Sequence, residues 1–300
     1  MRTRFIDATT RILDEDPRTA LVLADISVDQ FAPAFRAHPD RVFNVGIREQ
    51  LMVGVAGGLA LAGLRPIVNT IASFAVERPF EQLKISVAHQ GSGIVLVSHG
   101  ASYDYSSSGR THQAPGDVAL IGTLPDWAVY VPGHPDEAEA LLRHAVADGD
   151  SRAYVRLSEQ ANAHARALVP GRFDTVRTGR AGVVLAVGPM LDAVLEATAD
   201  LDVTVLYATT VRPFDADTLV AAVGGARPNV VLVEPYLAGT SAAQVAAALE
   251  DTPHRLLGLG VANADIRRYG TVDDHVRRHG LDADSLRTRI TAYLAPTNPH

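Results

Sequence analysis

Apolar positions along the chain fall into short unbroken runs separated by stretches with helical spacing. Residues 3–14 carry apolar side chains three and four apart, which predicts an amphipathic helix closed by Pro17. Residues 19–24 form a continuous apolar run of strand length, the pattern of a strand buried on both faces. Further strands are expected at 65–69, 93–98, 127–131 and 153–157, with helices over 73–88 and 135–146. Between 161 and 178 the texture changes to scattered arginines around Pro170 and Gly171, which reads as a linker. Beyond it the alternation resumes, with strands expected over 182–187, 203–207, 230–233 and 255–260. Helices over 191–197, 216–223, 241–250 and 285–293 separate them. Strands alternating with helices predict an α/β chain of two doubly wound domains with mostly parallel sheets. The boundaries expected are a first domain over 1–165, a linker over 166–178 and a second domain over 179–300.

One stretch organises the first half. Residues 41–45 alternate and are partly β-branched, so they read as a strand, and Gly46 supplies the freedom for a sharp turn into a helix. That helix, expected over 47–62, is almost uncharged after its first turn. Glu49 sits in the first turn, where a carboxylate benefits from the positive end of the helix dipole and is aimed at the end of the sheet. Taken alone, the plainer reading of Glu49 is a first-turn acid without chemistry. Asp25 directly follows the first apolar strand at its carboxyl end, where ligands collect in open α/β sheets.

Composition narrows the classes. A chain of 300 residues suggests two domains, and 47% hydrophobic with 20% charged residues is ordinary for a globular chain with ample core. The net charge of −7 and the lack of a basic stripe exclude nucleic acid as the main partner. Lys84 is the single lysine, which reflects genome composition rather than mechanism. Without cysteine there is no disulfide, thiolate metal site or cysteine nucleophile, which fits a cytoplasmic enzyme. The first residues are amphipathic and carry acids, unlike a secretory signal, and no apolar run suits a membrane span.

The segment Asn44-Val45-Gly46-Ile47-Arg48-Glu49-Gln50, followed by a small-residue helix, resembles the pyrimidine-binding domain of the transketolase-like thiamine diphosphate enzymes. The resemblance implies that Glu49 contacts N1′ of the cofactor's aminopyrimidine. The cofactor supplies its own chemistry, and the protein position and electrostatics. A second similarity, to split transketolases, lies in residues 70–84, where Phe74 takes the place of the aromatic that stacks on the pyrimidine, with Ile71 one turn before it. An aromatic face against a heteroaromatic ring adds stacking to burial. An isolated aromatic is more often core, and Phe80 is left as core. The third is the polar loop 99–113, which holds His99-Gly100 and Thr111-His112-Gln113. The resemblance sets His99 and His112 against the donor sugar and the thiazolium, work that suits a side chain whose charge changes near neutral pH. Ile47 and Asp25 complete the cofactor side. The family fold implied is a pyrimidine-binding domain plus a transketolase C-terminal-like domain. In the latter, residues 210–214 and 234–239 are similar to the family, with Tyr236 where a histidine often stands, and its role is assembly.

Two departures from the family pattern bear on substrate. Ser108 stands where the family has an acid that reads a sugar hydroxyl. Glu159 stands where many transketolases have an arginine that grips the acceptor phosphate, and a carboxylate repels what arginine binds bidentately. The substrate expected is therefore not a usual sugar phosphate, unless Arg2 or Arg156 takes over the phosphate. The family's Gly-Asp-Gly segment for the metal-bound diphosphate, with its later asparagine, has no counterpart: Gly116-Asp117-Val118 and Asp148-Gly149-Asp150 both fall short. The chain itself is thus expected to hold no metal. A partner similar to the N-terminal half of transketolase would hold thiamine diphosphate through Mg²⁺ or Ca²⁺, in a heterotetramer of two such chains and two partners.

The leading reading is the pyrimidine-plus-C-terminal subunit of a split transketolase-like enzyme. It transfers a two-carbon ketol unit to an aldehyde, with Glu49, His99 and His112 as catalytic residues. Substrate contacts are assigned to His99, Ser108, His112, Glu159 and Arg2. The alternatives are the β subunit of a 2-oxoacid dehydrogenase E1 component, which shares fold and glutamate, and a non-catalytic assembly subunit.

Overall fold

The computed structural model describes residues 1–267 and 269–295. The first sheet has seven strands in the order β10-β5-β6-β4-β3-β1-β2. These are β1 (Thr19–Leu23), β2 (Val42–Asn44), β3 (Arg65–Ile71), β4 (Val95–His99), β5 (Trp127–Tyr130), β6 (Arg152–Arg156) and β10 (Thr210–Arg212). All neighbours are parallel except β10 against β5. The second sheet runs β12-β11-β8-β9-β7, built from β7 (Asp174–Arg177), β8 (Val183–Val187), β9 (Thr204–Ala208), β11 (Asn229–Leu237) and β12 (Arg255–Val261). It too is parallel apart from its edge strand β7. Every residue of β1, β3, β4, β8 and β9 is buried, which is why these segments do not alternate between apolar and polar positions as half-buried strands do.

Helices cover both faces of each sheet. In the first, α1 (Arg2–Glu15) and α6 (Pro135–Ala147) lie on one side with Phe5, Ile12, Leu13, Leu141 and Leu142 in the core. On the other side α3 (Glu49–Leu61) packs Met52 and Val53 with Leu83 and Val87 of the following helical stretch. Around the second sheet, α7 (Leu191–Ala197) and α11 (Ala283–Leu294) bury one set of apolar residues and α8 (Ala216–Gly224) and α9 (Ala242–Ala248) another. The core beside α3 continues through Val131 and Phe173 to Val183 and Leu232, so the two halves share one apolar interior. Among the described residues no helix is long and apolar enough to cross a membrane.

Four features differ from the sequence reading. The segment read as linker ends in β7, which closes the second sheet through antiparallel pairing with β9. Strand β10, from the second half of the chain, crosses to the edge of the first sheet. The single helix expected over 73–88 is instead two π-helical stretches, Ser73–Glu77 and Leu83–Ala88, around one short α turn, α4 (Phe80–Gln82). Pro79 explains the break, because it donates no N–H and its ring crowds the preceding turn. The helix after Gly46 starts at Glu49 rather than Ile47. Also present are α2 (Ala32–Ala37), α5 (Asp117–Ile121) and α10 (Val272–His279).

A buried polar network joins the halves beneath the loop after β4. Asp117 Oδ2 accepts from Arg156 Nε and from the Tyr154 hydroxyl, each at 2.7 Å. Arg156 Nη2 donates to Ser102 Oγ at 2.6 Å, and Ser102 Oγ donates to the Pro235 carbonyl on β11 at 2.6 Å. The Arg156 and Asp117 side chains are 1% and 0% exposed, so neither charge has water to fall back on. Removing one partner of such a pair costs about 3–5 kcal/mol, whereas an apolar pair of similar volume is far better tolerated. Urea unfolding of Asp117→Ala is therefore expected to show a loss in that range, with Asp117→Leu/Arg156→Met losing clearly less.

Candidate active site

The carboxyl edge of the first sheet gathers most of the polar residues named from sequence. Asn44, at the end of β2, bridges the two neighbouring loops: its Oδ1 accepts from Asp25 N at 2.9 Å and Gly46 N at 3.0 Å. Gly46 turns there at φ +71°, in the left-handed region that glycine enters without cost. Asp25 itself adopts φ +67°, a conformation aspartate tolerates better than most residues.

From this edge a hydrogen-bonded chain runs through the sheet. Arg2 Nη2 donates to Ser27 Oγ and to Gln30 Oε1, each at 2.9 Å. Ser27 Oγ donates to Asn69 Oδ1 at 3.2 Å, and Asn69 Nδ2 donates to the Val97 carbonyl at 2.9 Å. The Asn69 amide is thereby oriented, and its Nδ2 lies 3.3 Å from His99 Nδ1. A donor facing Nδ1 makes that nitrogen an acceptor and leaves the proton on Nε2. Nε2 is buried with no partner in the protein, so His99 presents an unsatisfied N–H. His99 is 3% exposed, and burial, reinforced by the Arg2 charge, pushes its pKa down to about 3. The ring is neutral at working pH.

The loop over 99–113 carries the other histidine. Its start is tied by Asp104, which accepts from Ala101 N at 2.8 Å, Glu159 N at 2.9 Å and Ser158 Oγ at 3.2 Å. Burial raises the Asp104 pKa to about 6. Gly100 is required: at φ +72°, a Cβ there would lie 2.1 Å from the Tyr105 ring. His112 ends a 3₁₀ turn, Arg110–His112, and meets the Phe74 ring edge-on with centroids 5.1 Å apart. Tyr105 stands between the histidines, 6.3 Å from His99 and 6.4 Å from His112 by centroid.

Two adjoining cavities result. One of about 540 Å³ is lined by Arg2, Asp25, Asp29, Ile71, Ser108 and His112, among others. The second, about 210 Å³, is lined by His99, Gly100, Leu157 and Glu159, and shares Arg2 and Tyr105 with the first. Thus Arg2, Asp25, Ile71, Ser108, His99, His112 and Glu159 come together. Arg156 does not reach either cavity, being committed to Asp117. Ile47 stands apart, 71% exposed and outside both cavities.

Glu49 and Phe74 form a third cluster, joined to the rest by His112. Glu49 is 3% exposed and Phe74 is 7% exposed. The Glu49 carboxylate is not alone among apolar groups: its Oε1 accepts from Arg78 Nη1 at 2.9 Å. The Arg78 guanidinium also lies over Phe74, with Cζ 3.6 Å from the ring centroid. The sequence reading gave no site role to Arg78, which it met only as the arginine of the 70–84 pattern, nor to Asn69, Tyr105 or Ser27. The irregular winding around Pro79 is a signal that could have singled out Arg78, since π-helical turns often mark functional positions.

The donor set fits one half of a thiamine diphosphate site. A buried acid, an adjacent aromatic ring and an imidazole with a free N–H are groups that an aminopyrimidine and a polyhydroxy substrate require. For the diphosphate, among the described residues no group of three His, Cys, Asp or Glu side chains could hold a metal ion. Asp117, in the nearest sequence to a metal motif, is spent on Arg156 and Tyr154.

The comparisons with known proteins agree with this fold. The model of the transketolase pyrimidine-binding domain matches residues 1–163, and that of the transketolase C-terminal domain matches residues 171–286. The chain belongs to the transketolase family. It is 56% identical, over 98% of its length and 95% of the relative's, to an uncharacterised protein of the fasciation locus of Rhodococcoides fascians. It is 28% identical to one of the subunits of the apulose-4-phosphate transketolase of Actinobacillus succinogenes, over 95% of this chain and 94% of that one. Among solved structures it matches a split-gene transketolase, an inactive beta4 tetramer, with TM-score 0.84 and 26% identity, covering 98% of this chain and 97% of that one.

The depressed His99 pKa sets a pH dependence. From its ordinary value of 6.5 down to about 3, the unfolded chain binds a proton there that the folded chain refuses. Stability from this group is therefore complete above pH 6.5 and falls with acidification, by up to about 1.4 kcal/mol per pH unit. Asp104 works the other way between about pH 6 and 3.8, where the folded chain keeps the extra proton. Denaturant melts of His99→Asn across this range are expected to lose less stability on acidification than wild type, and those of Asp104→Asn to lose more.

Proposed function

We propose that this chain is the pyrimidine-binding and C-terminal subunit of a split transketolase-like enzyme that moves a two-carbon ketol unit from a ketose to an aldehyde. The observation that carries the reading is the buried pair Glu49 and Phe74, bridged by Arg78, with His112 against the Phe74 ring and His99 offering a free N–H. When bound, thiamine diphosphate supplies the carbon–carbon bond chemistry. Glu49 holds a proton at the ring nitrogen, and Phe74 fixes the ring's plane. His99, kept in one tautomer by Asn69, donates to a substrate oxygen. His112, whose Nδ1 lies 2.9 Å from Thr111 Oγ1, handles a second.

Activity on this reading requires a second chain that holds the diphosphate and its metal ion. Exposed apolar residues support such a partner: Ile47 just before α3, Leu51 and Leu61 along it, and Ile85 on the neighbouring π-helical stretch. An assembly of two such chains with two partners and a cytoplasmic setting belong to the same proposal. Glu49→Gln in the assembled complex is expected to lower the ketol-transfer rate by at least about 100-fold, the scale of a lost proton-transfer group. Undiminished transfer would remove the reading.

Substrate choice follows from charge. Of the charged side chains lining the two cavities, Asp25, Asp29 and Glu159 are carboxylates and Arg2 is a guanidinium already bonded to Ser27 and Gln30. This balance supports substrates without a terminal phosphate, or with an amine, over sugar phosphates. In a donor and acceptor screen, Glu159→Arg is expected to lower KM for phosphorylated acceptors by about tenfold, the worth of one charge-assisted contact. Unchanged KM would count against it.

A further inference from the structure

Both groups assigned to the cofactor's ring are buried in this structure, and one side chain touches both. Glu49 and Phe74 are 3% and 7% exposed, yet the Arg78 side chain that touches both is 42% exposed. Its guanidinium is planar, carries N–H donors in its plane and is stacked on an aromatic face. Arg78 Nη1 donates to Glu49 Oε1 at 2.9 Å while Cζ lies 3.6 Å from the centre of Phe74. A flat group that donates in its plane to Glu49 and covers Phe74 makes the contacts that an N1′-protonated aminopyrimidine would make.

We propose that Arg78 is a stand-in for the cofactor's ring: its guanidinium plugs the pyrimidine site of the free chain and has to swing out before the ring can enter. A ring cannot stack on a side chain that is 7% exposed unless something moves, and the half-exposed guanidinium is the group over it. The backbone suits a movable residue. Arg78 follows a π-helical stretch and precedes Pro79, and its N–H bond to the Ser73 carbonyl is long at 3.4 Å. The plug serves a chain that carries only part of a site. While unassembled, it keeps a buried carboxylate paired and an aromatic face covered, and the cost of displacing it falls on cofactor binding.

This inference rests on the roles given to Glu49 and Phe74 above, so its test has one arm that needs neither cofactor nor partner. In the free chain, carbodiimide labelling of Glu49 read by mass spectrometry is expected to rise several-fold in Arg78→Ala. It should rise less in Arg78→Lys, which keeps the charge without the planar face. Glu49 remaining unlabelled in a folded Arg78→Ala chain would overturn the plug. The second arm is calorimetry with thiamine diphosphate and Mg²⁺ on the chain assembled with its diphosphate-binding partner. Arg78→Ala is expected to bind about tenfold more tightly than wild type, the size of one cation–π contact plus one half-exposed ion pair. Equal or weaker binding would overturn the plug and make Arg78 a residue that positions Glu49. Binding by neither protein would instead remove the thiamine diphosphate reading itself, and the plug with it.

Discussion

The pairing of Asp117 with Arg156 is the interaction on which the rest of this structure depends. It brings two opposite charges into a dry interior where nothing else could satisfy them, and the remaining donors of the pair then dictate their surroundings. Through Ser102 the guanidinium holds the loop that follows β4, and through Pro235 the same serine holds β11 of the second sheet. The two halves are thereby locked across the loop that carries His112. Commitment to this network also removes Arg156 from any contact with substrate, although its place at the end of β6 is beside the cavity wall.

The edge of the first sheet illustrates how preorganisation is built from ordinary side chains. Arg2, Ser27 and Asn69 form a relay of hydrogen bonds whose last member sets the tautomer of His99. Burial keeps that ring neutral, so its free N–H is a donor at neutral pH and well below it. The Glu49 cluster follows the opposite logic. There a charged side chain satisfies a nearly buried acid and covers an aromatic face, so the two groups proposed to meet the cofactor's ring have partners without a ligand. A site completed by another molecule faces this problem generally, because exposed aromatic surface and an unpaired buried carboxylate are both costly.

Much of the fold was legible because the strands are buried on both faces. Short apolar runs mark β1, β4, β8 and β9, while β3 also buries Arg65, Asn69 and Thr70. Two of the edge strands, β7 and β10, left no such trace. Residues 174–177 are mostly polar and at most partly buried, and residues 210–212 pair with the other half of the molecule, a contact no local pattern encodes. Helix α10 was missed for a different reason: its apolar content is low, and it buries His275 and His279 against Tyr103 instead. Its ends were nevertheless written in the chain, in the Thr271–Asp274 capping box and the left-handed Gly280.

The amino-acid sequence by itself determined the two α/β halves, the family resemblance and part of the cast of polar residues at the first sheet's edge. Those follow from local physics, since apolar runs, glycine turns and short motifs act over a few neighbouring residues. Only the tertiary structure decided which of those residues meet. Arg2 reaches Ser27 across 25 positions, Arg78 reaches Glu49 across 29, and Arg156 finds Asp117 across 39. Side-chain pairings at such separations are set by how helices and loops settle on the sheet, and no periodicity along the chain records them.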